Sequence, residues 1–191
     1  MKWWEKTVEY LFVIQSALTG KLNLSPLDGT HELAGDLIAS ENSKFILIEF
    51  KCDYSSISTE KDKFEDGTYE TAKLKLERCD DHHFIVYGKE SNELPGQLIL
   101  FVQTYFSGNE VSLKNIYSSG KEIDSFHIYL KEYLRFKKIP ATASGGGRSL
   151  SFAMVAAVDS ETGQASSISL DEYFLSLSLR PTINKSMTLS M

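Results

Sequence analysis

The chain begins with apolar side chains that recur every three or four residues, as they do on one face of a helix. Within residues 2–18 these positions are Trp4, Val8, Leu11, Phe12 and Leu18. A glycine at position 20 is a common residue just beyond the end of a helix. The pattern therefore predicts an amphipathic helix. It does not resemble a signal peptide, because three charged residues interrupt the apolar run and no small-residue cleavage site follows.

Two segments with alternating apolar side chains come next, at residues 32–40 and 44–52. A short polar stretch separates them, which predicts two antiparallel strands joined by a tight turn. Successive side chains along a strand point to opposite faces. In the second strand, Glu49 and Lys51 therefore share a face with Leu47. This placement brings two charged groups to a face that is otherwise apolar.

The rest of the chain alternates between helical and strand patterns. Residues 53–66 are polar and charged, and we interpret them as a loop. The pattern then predicts helices at residues 65–79, 112–117 and 123–136, and strands at residues 83–88 and 97–106. This order is typical of an α/β protein in which helices flank a mixed central sheet. A chain of 191 residues can form it as a single domain, residues 1–191.

Composition narrows the classes of protein. Hydrophobic residues make up 42% of the chain, which is typical of a globular protein. The two cysteines, Cys52 and Cys79, lack CxxC spacing, so reduced thiols in a cytoplasmic location are expected rather than disulfides or zinc. No apolar run reaches the roughly 20 residues of a membrane helix, so no membrane is expected. The net charge of −6 argues against a wide surface that grips nucleic acid, but it permits local contacts.

One set of charged residues is spaced as a metal site requires. Asp36 stands at the start of the apolar part of the first strand, and Glu49 lies near the end of the second. If the strands are antiparallel neighbours, the two carboxylates lie at the same end of the hairpin. Carboxylate oxygens that converge on one point are the ligands of a hard cation such as Mg²⁺. Lys51 can then hold or help deprotonate an attacking water and offset charge that grows on a phosphate.

The run GD at residues 35–36, followed by EFK at residues 49–51, resembles the PD-(D/E)xK nuclease superfamily. The resemblance covers residues 5–90. It implies a restriction-endonuclease-like αβββαβ core within residues 1–106, with residues 107–191 as a C-terminal helical and β extension. It further implies a divalent-metal-dependent nuclease that hydrolyses phosphodiester bonds, with DNA as the expected substrate.

The same resemblance assigns roles to individual residues. It implies that Asp36 and Glu49 bind Mg²⁺, for which Mn²⁺ can substitute, and that Lys51 assists the water nucleophile. Glu9, on the first helix, would supply a further carboxylate to the metal and the reaction. The sequence departs from the family pattern because no proline precedes Asp36 and the second helix has no Q-x-x-x-Y motif. No particular branch of the superfamily is therefore indicated.

Nucleic-acid contacts are expected at two places. The helix predicted at residues 65–79 offers Tyr69 and Lys73, which stand one helical turn apart. The densest basic group lies at the end of the last predicted helix, where positive charge also complements the helix dipole. Its members are Lys131, Arg135, Lys137 and Lys138.

Plainer alternatives exist for these residues. Glu49 and Lys51 could form a solvent-facing strand edge, where charge discourages aggregation. An unpaired carboxylate on an apolar face would be costly, however. Glu5 lies one turn before Glu9 on the first helix, so it competes for the role of the helix carboxylate.

A second class of function is also compatible with the sequence. A catalytically silent protein with the nuclease fold would serve as a binding or interaction module, and the net acidity favours it. Many enzymes of the superfamily that the chain resembles work as dimers or inside larger assemblies, so the resemblance implies a homodimer or a protein partner. His82 precedes the strand predicted at residues 83–88 and His83 begins it, and we expect surface positions for both.

Overall fold

The computed structural model describes residues 3–19, 23–28, 37–41, 44–138, 154–158 and 165–169. The first elements are helix α1 (Glu5–Thr19) and strands β1 (Asn23–Asp28), β2 (Leu37–Glu41) and β3 (Lys44–Lys51). They are followed by α2 (Thr68–Leu76), β4 (His83–Glu90), β5 (Leu98–Thr104), β6 (Glu110–Val111), β7 (Lys121–Glu122) and α3 (Ile123–Leu134). Two further strands are β8 (Met154–Val158) and β9 (Ala165–Ser169).

The described strands form one mixed sheet in the order β6-β5-β4-β3-β2-β1-β8-β9, and β7 pairs with β3 beside this path. β3 and β4 are parallel. β1, β2 and β3 form an antiparallel meander, and β4 and β5 are antiparallel as well. Parallel neighbours require a crossover connection, and the segment that contains α2 provides it. The prediction of an α/β protein with a mixed sheet and helices is confirmed.

Strand β3 lies between two hydrophobic clusters. On one face, Leu47 packs with buried residues of α2 and α3. On the other face, Ile48 and Phe50 pack with Val8 and Phe12 of α1. The predicted alternation of side chains along β3 is therefore confirmed. Because both faces of β3 are covered, a charged side chain on this strand needs partners.

A 3₁₀ helix, Ser55–Lys63, occupies most of the segment that composition predicts as a loop. That prediction is wrong, because the polar composition conceals a helical turn whose Glu60 is only 2% exposed. Asp53 precedes this helix and accepts hydrogen bonds from the hydroxyl of Ser55 and from the hydroxyl and backbone N–H of Ser56. These bonds, that of Ser55 first, lower the pKa of Asp53 to about 2. The carboxylate thus fixes the beginning of the helix.

The helix predicted at residues 112–117 is also wrong in type. The structure has two short 3₁₀ turns there, Leu113–Asn115 and Tyr117–Ser119. The stronger helix predicted at residues 123–136 is confirmed as α3, since its apolar stripe packs into the core. The helix predicted at residues 123–136 has a long apolar stripe, whereas the segment at residues 112–117 is too short to have one.

Strand β1 has no counterpart among the strands that the sequence pattern predicts. Its sequence, NLSPLD, contains Pro26, which is unusual inside a strand because proline lacks a backbone N–H. β1 nevertheless pairs with β2 along Asn23–Pro26, and among the described residues β8 pairs with the two residues beyond the proline. The missing N–H of Pro26 therefore removes no hydrogen bond from the described pairing of β1 with β8.

Some predictions concern residues outside the described part. The strand predicted at residues 32–40 is described only from Leu37 onward, and Asp36 lies outside the described residues. Of the predicted C-terminal extension, residues 139–153, 159–164 and 170–191 also lie outside it. Within the described ranges, no helix is both long enough and apolar enough to cross a membrane.

Candidate functional site

Strand β3 presents Glu49 and Lys51 on the same face of the sheet. Leu47, two residues earlier, packs beneath α2 and α3 on that face. Glu49 is 0% exposed and Lys51 is 4% exposed. The Nζ of Lys51 lies 3.3 Å from Oε1 of Glu49. The two residues therefore form a buried ion pair, and the alternative of a solvent-facing strand edge does not fit this burial.

Lys51 has a second buried carboxylate partner. The 3₁₀ helix Ser55–Lys63 brings Oε1 of Glu60 to 2.7 Å from Nζ of Lys51. A third carboxylate is more distant: Oε2 of Glu5 lies 3.8 Å from the same nitrogen, and the side chain of Glu5 is 46% exposed. Three elements, α1, β3 and the 3₁₀ helix, thus meet at the ammonium group of Lys51.

Lys63 ends the 3₁₀ helix and contacts both buried carboxylates. Its Nζ forms an ion pair with Oε1 of Glu49 and lies 3.1 Å from Oε1 of Glu60. The side chain of Lys63 is 24% exposed, whereas that of Lys51 is 5% exposed. Lys63 is therefore the group through which solvent or a ligand would first reach these carboxylates.

Lys137, three residues after the end of α3, supplies a third ammonium group. Its Nζ donates a hydrogen bond to Oη of Tyr105 at 3.2 Å, and that hydroxyl donates to Oε2 of Glu60 at 2.6 Å. The same Nζ lies 4.4 Å from the ring centroid of Phe64 and 4.6 Å from that of Tyr133. Aromatic faces attract cations, so these rings replace part of the water that burial removes.

These five side chains form one connected group, which we call the charged cluster: Glu49, Lys51, Glu60, Lys63 and Lys137. Three ammonium groups face two buried carboxylates. The half-exposed carboxylate of Glu5 balances the remaining positive charge at the rim. An anion that took the place of Glu5 would meet the ammonium group of Lys51.

Burial and charge act in opposite directions on the cluster. Burial would lower the pKa of Lys51, but the attraction of Glu49 and Glu60 outweighs it and the pKa is raised. Burial would raise the pKa of Glu60, but Lys137, Lys63 and Lys51 hold it well below its ordinary value. For Lys137 burial dominates over the attraction of Glu60 and Glu49, and the pKa falls to about 8. Lys51 is thus protonated and positively charged at neutral pH, whereas Lys137 can lose its proton in mild base.

Asp36, the other predicted metal ligand, lies outside the described residues. The next residue in the chain, Leu37, pairs with Ile48 across the hairpin, and Glu49 follows Ile48. The described register therefore brings β2 and β3 together as the prediction assumed, up to the residue that follows Asp36.

The two carboxylates of α1 have different partners. Glu9 forms an ion pair with Lys6, three residues earlier, at 2.7 Å. Glu5, which competes with it in the sequence, is the one whose carboxylate reaches within 3.8 Å of Lys51. Of the predicted site residues, the structure thus brings Glu49 and Lys51 together, and it adds Glu5 rather than Glu9 at this contact.

His82 and His83 are both buried, so the prediction of surface positions for them is wrong. Nδ1 of His83 lies 2.8 Å from Oη of Tyr129, and its ring stacks on that of Tyr105 at 4.0 Å. Burial lowers the pKa of His82 to about 4 and that of His83 well below its ordinary value. Both imidazoles are therefore neutral at pH 7 and belong to the aromatic layer beneath the charged cluster.

Two of the predicted nucleic-acid contacts lie on α2. Tyr69 is half-buried, and its ring packs edge-on against Phe64 at 5.1 Å. The Nζ of Lys61 lies over the ring of Tyr69 at 4.8 Å. Lys73 is half-buried on the same helix. Tyr69 is thus linked to the charged cluster through Phe64, which Lys137 also contacts.

The basic group after α3 is split between surface and core. Arg135 forms an ion pair with Glu132 at 2.8 Å, and Lys138 forms one with Asp66 at 3.0 Å. The side chain of Arg135 is 59% exposed and that of Lys138 is 50% exposed. Lys137 is 1% exposed, so its assignment to a nucleic-acid contact is wrong. The reason is a β-bridge to Phe64, which folds the segment back against the 3₁₀ helix and turns Lys137 inward.

Of the two predicted metal ligands on the hairpin, Glu49 is described and Asp36 lies outside the described residues. Among the described residues, no group of three or more His, Cys, Asp or Glu side chains is arranged to hold a metal ion. The carboxylate of Glu49 has the donor chemistry that Mg²⁺ prefers. Its Oε1 is shared by the ammonium groups of Lys51 and Lys63. An ion at Glu49 would therefore compete with Lys63, the more exposed of the two.

Sequence reasoning missed Glu60 and Lys63 as members of the site. One signal was available, since a buried Glu49 and Lys51 need counter-ions and residues 53–66 are the nearest charged segment in the chain. Lys137 had no comparable signal, because only the bridge to Phe64 brings it into the core.

Comparison with protein-family models, with curated proteins and with solved structures finds no match to this chain. The assignment of a function to the charged cluster therefore depends on its geometry and chemistry.

Proposed function

We propose that the protein is a divalent-metal-dependent nuclease that hydrolyses phosphodiester bonds in DNA. In this proposal Asp36 and Glu49 hold Mg²⁺ or Mn²⁺, Lys51 orients the attacking water, and a carboxylate of α1, Glu9 or Glu5, completes the site. The observation that carries the proposal is the buried pair of Glu49 and Lys51 at the end of β3, 3.3 Å apart. Well-packed apolar residues often serve stability as well as a buried ion pair does, so chemistry accounts better for two charges at this place.

The order of the elements supports the proposal. The described chain runs α1, β1, β2, β3, α2, β4, with β1, β2 and β3 antiparallel and β4 parallel to β3. This agrees with the αβββαβ order of the restriction-endonuclease-like core that the sequence resemblance implies. In that arrangement Glu49 and Lys51 stand at the end of the central strand β3.

The raised pKa of Lys51 favours one of the roles that the sequence leaves open. Because Glu49 and Glu60 hold the lysine in its charged form, it is a hydrogen-bond donor and a positive charge rather than a base. A fixed ammonium group can orient a water molecule and stabilise negative charge that grows on a phosphate. Glu60 positions the ammonium group for this task, since its carboxylate lies only 2.7 Å away.

The rim of the cluster suits a phosphate oxygen. Glu5 is half exposed and lies 3.8 Å from Lys51, which is a loose contact. Where Glu9 supplies the carboxylate of α1, a phosphate that displaced Glu5 would lie beside Lys51 and near the partly exposed Lys63. A divalent cation, when bound by Glu49 and Asp36, would supply a water of lowered pKa and charge stabilisation at the phosphate.

A specific observation favours the second candidate, a catalytically silent binding module. Oε1 of Glu49 is held by two lysines, Lys51 and Lys63. Such neutralisation lowers the affinity of a carboxylate for a cation, since the ion must displace an ammonium group. A protein that keeps this arrangement in solution would bind phosphate without cleaving it.

Calorimetric titration with Mg²⁺ and Mn²⁺ separates the two candidates. The nuclease proposal predicts binding by the wild type, loss of binding in Asp36→Asn and Glu49→Gln, and DNA cleavage that EDTA abolishes. Glu70→Gln is the matched control, because Glu70 is 68% exposed and pairs with Lys61. Metal binding that survives both Asp36→Asn and Glu49→Gln, or that is absent from the wild type, would contradict the proposed metal site.

A further inference from the structure

Two aromatic residues lie beside Lys51 on the neighbouring strands of the sheet. In the register of β3 and β4, Lys51 pairs with Tyr87, and in that of β4 and β5, Tyr87 pairs with Phe101. Directly paired residues on neighbouring strands point to the same face. The ring of Phe101 stacks on that of Tyr87 at 5.8 Å, with 22° between the ring planes. The face that carries Lys51 thus carries two aromatic rings in line with it.

A third ring packs against Tyr87, the middle residue of the row Lys51, Tyr87 and Phe101. Tyr54, just before the 3₁₀ helix, meets the ring of Tyr87 edge-on at 5.6 Å. Tyr54 is 68% exposed and Phe101 is 36% exposed, whereas Tyr87 between them is 6% exposed. We call Tyr54, Tyr87 and Phe101 the aromatic platform. Its two outer rings are partly exposed to solvent, and its central ring contacts both of them.

Positive charge accompanies the aromatic platform on both sides. Lys51 and the partly exposed Lys63 lie at one end. At the other end, the exposed Lys89 holds its Nζ 5.7 Å from the ring centroid of Phe101. Phe101 also lines a surface groove of about 580 Å³, together with Lys114 and Glu110. Burial first, and then the charge of Glu110, raises the pKa of Tyr87. The surface therefore carries negative as well as positive charge.

We infer that the aromatic platform stacks an unpaired nucleobase, and that the substrate class of the charged cluster is single-stranded nucleic acid. This inference rests on the proposed function, because it places the phosphate of the same strand at Lys51. Two strand spacings of about 4.8 Å each separate Lys51 from Phe101, roughly 10 Å in all. A strand that passes Lys51 with its phosphate can therefore lay a base on the platform.

Single strands suit this surface better than duplex DNA does. In a duplex the faces of the bases are covered by their neighbours, and only an unpaired base can stack on a protein side chain. A net charge of −6 gives the chain little general attraction for a polyanion. Stacking on aromatic rings provides affinity that does not require a wide basic surface. A few lysines beside three rings are then sufficient to place the strand.

The test is fluorescence anisotropy of a labelled oligothymidylate in EDTA, which separates binding from cleavage. Tyr54→Ala and Phe101→Ala are each expected to weaken binding about tenfold, and Tyr54→Phe is expected to retain it. An abasic oligonucleotide of the same length is expected to bind weakly to the wild type and to lose little in the variants. Tyr10→Ala is the matched control, since Tyr10 is 61% exposed on α1.

The outcomes decide between the possibilities. Equal binding of the thymidylate and abasic strands, or unchanged binding in both alanine variants, overturns the inference. A wild-type dimer that Phe101→Ala dissociates in sedimentation also overturns it, because the platform is then a surface between two copies. Loss of binding in the variants of a protein that never cleaves DNA supports the platform and contradicts the nuclease. DNA cleavage by the protein, together with normal binding by both alanine variants, supports the nuclease and contradicts the platform.

Discussion

Lys51 and Glu60 form a buried ion pair with 2.7 Å between Nζ and Oε1, although one lies on a central strand and the other on the 3₁₀ helix that follows it. Neither side chain is more than 5% exposed. Glu60 also faces Lys63 at 3.1 Å and Lys137 at 3.7 Å. One carboxylate thus holds three ammonium groups, and its removal should disturb the whole charged cluster.

Glu60→Gln tests this role through stability. The change keeps the shape of the side chain but leaves buried lysines without a main counter-ion, so we expect the free energy of unfolding to fall by about 3 kcal/mol. Urea unfolding at pH 7 measures it. Glu70→Gln, at an exposed ion pair with Lys61, should change stability by less than about 0.5 kcal/mol. Equal small changes in both variants would show that Glu60 does not hold the cluster together.

Lys137 should give the protein a rise in stability in mild base. Its pKa is about 8 in the folded protein, against 10.5 ordinarily. The unfolded chain therefore binds more protons between these values, and the free energy of unfolding rises with pH there, by on the order of 3 kcal/mol. In Lys137→Met this rise is absent. Urea unfolding from about pH 8 to about pH 10 compares the two, with the half-exposed Lys138→Met as control. Parallel curves for wild type and Lys137→Met would contradict the shifted pKa.

Lys63 should compete with a metal ion for Glu49. Its ammonium group contacts Oε1 of Glu49 and is the most exposed of the three lysines in the cluster. We expect Lys63→Gln to lower the Kd for Mg²⁺ roughly tenfold, because the ion no longer displaces a cation. Calorimetry measures the affinity, and Lys61→Gln, whose lysine is 57% exposed, is the control. Weaker metal binding in Lys63→Gln would assign Lys63 to a supporting role.

The two carboxylates of α1 can be separated by function. Glu5 lies 3.8 Å from Lys51, whereas Glu9 pairs with Lys6. If contact with Lys51 decides which carboxylate completes the site, Glu5→Gln should lower the cleavage rate several-fold, about tenfold at most. Glu9→Gln should then lower it less than about twofold. Initial rates on labelled DNA measure both. The reverse order would restore the role that the sequence resemblance gives to Glu9.

Local pattern was sufficient for part of the site. Glu49 and Lys51 could be placed on one face because side chains alternate along any strand, and the apolar neighbours on both faces indicate that the strand is covered. The helices α1 and α3 followed from apolar spacing for the same reason. These features depend on residues close together in the chain.

Features that depend on distant contacts could not be predicted. Glu60 is buried because the 3₁₀ helix folds over β3, and Lys137 is buried because its segment bridges to Phe64. His83 stacks on Tyr105 and contacts Tyr129 of α3, so its burial requires a helix that begins 40 residues later in the chain. A polar composition looks the same in a loop and in a charged core until these partners are known.

The central claim is that Lys51 acts on a phosphodiester in the presence of a metal ion. The most direct measurement is the single-turnover cleavage rate of single-stranded and double-stranded DNA in Mg²⁺ or Mn²⁺, for wild type and Lys51→Met. Circular dichroism checks that the variant is folded, and Lys121→Met, at an ion pair with Asp81, is the control. We predict cleavage by the wild type and the control, and a loss of about 100-fold or more in Lys51→Met. Intact DNA with the wild type, or an unchanged rate in folded Lys51→Met, would contradict the account.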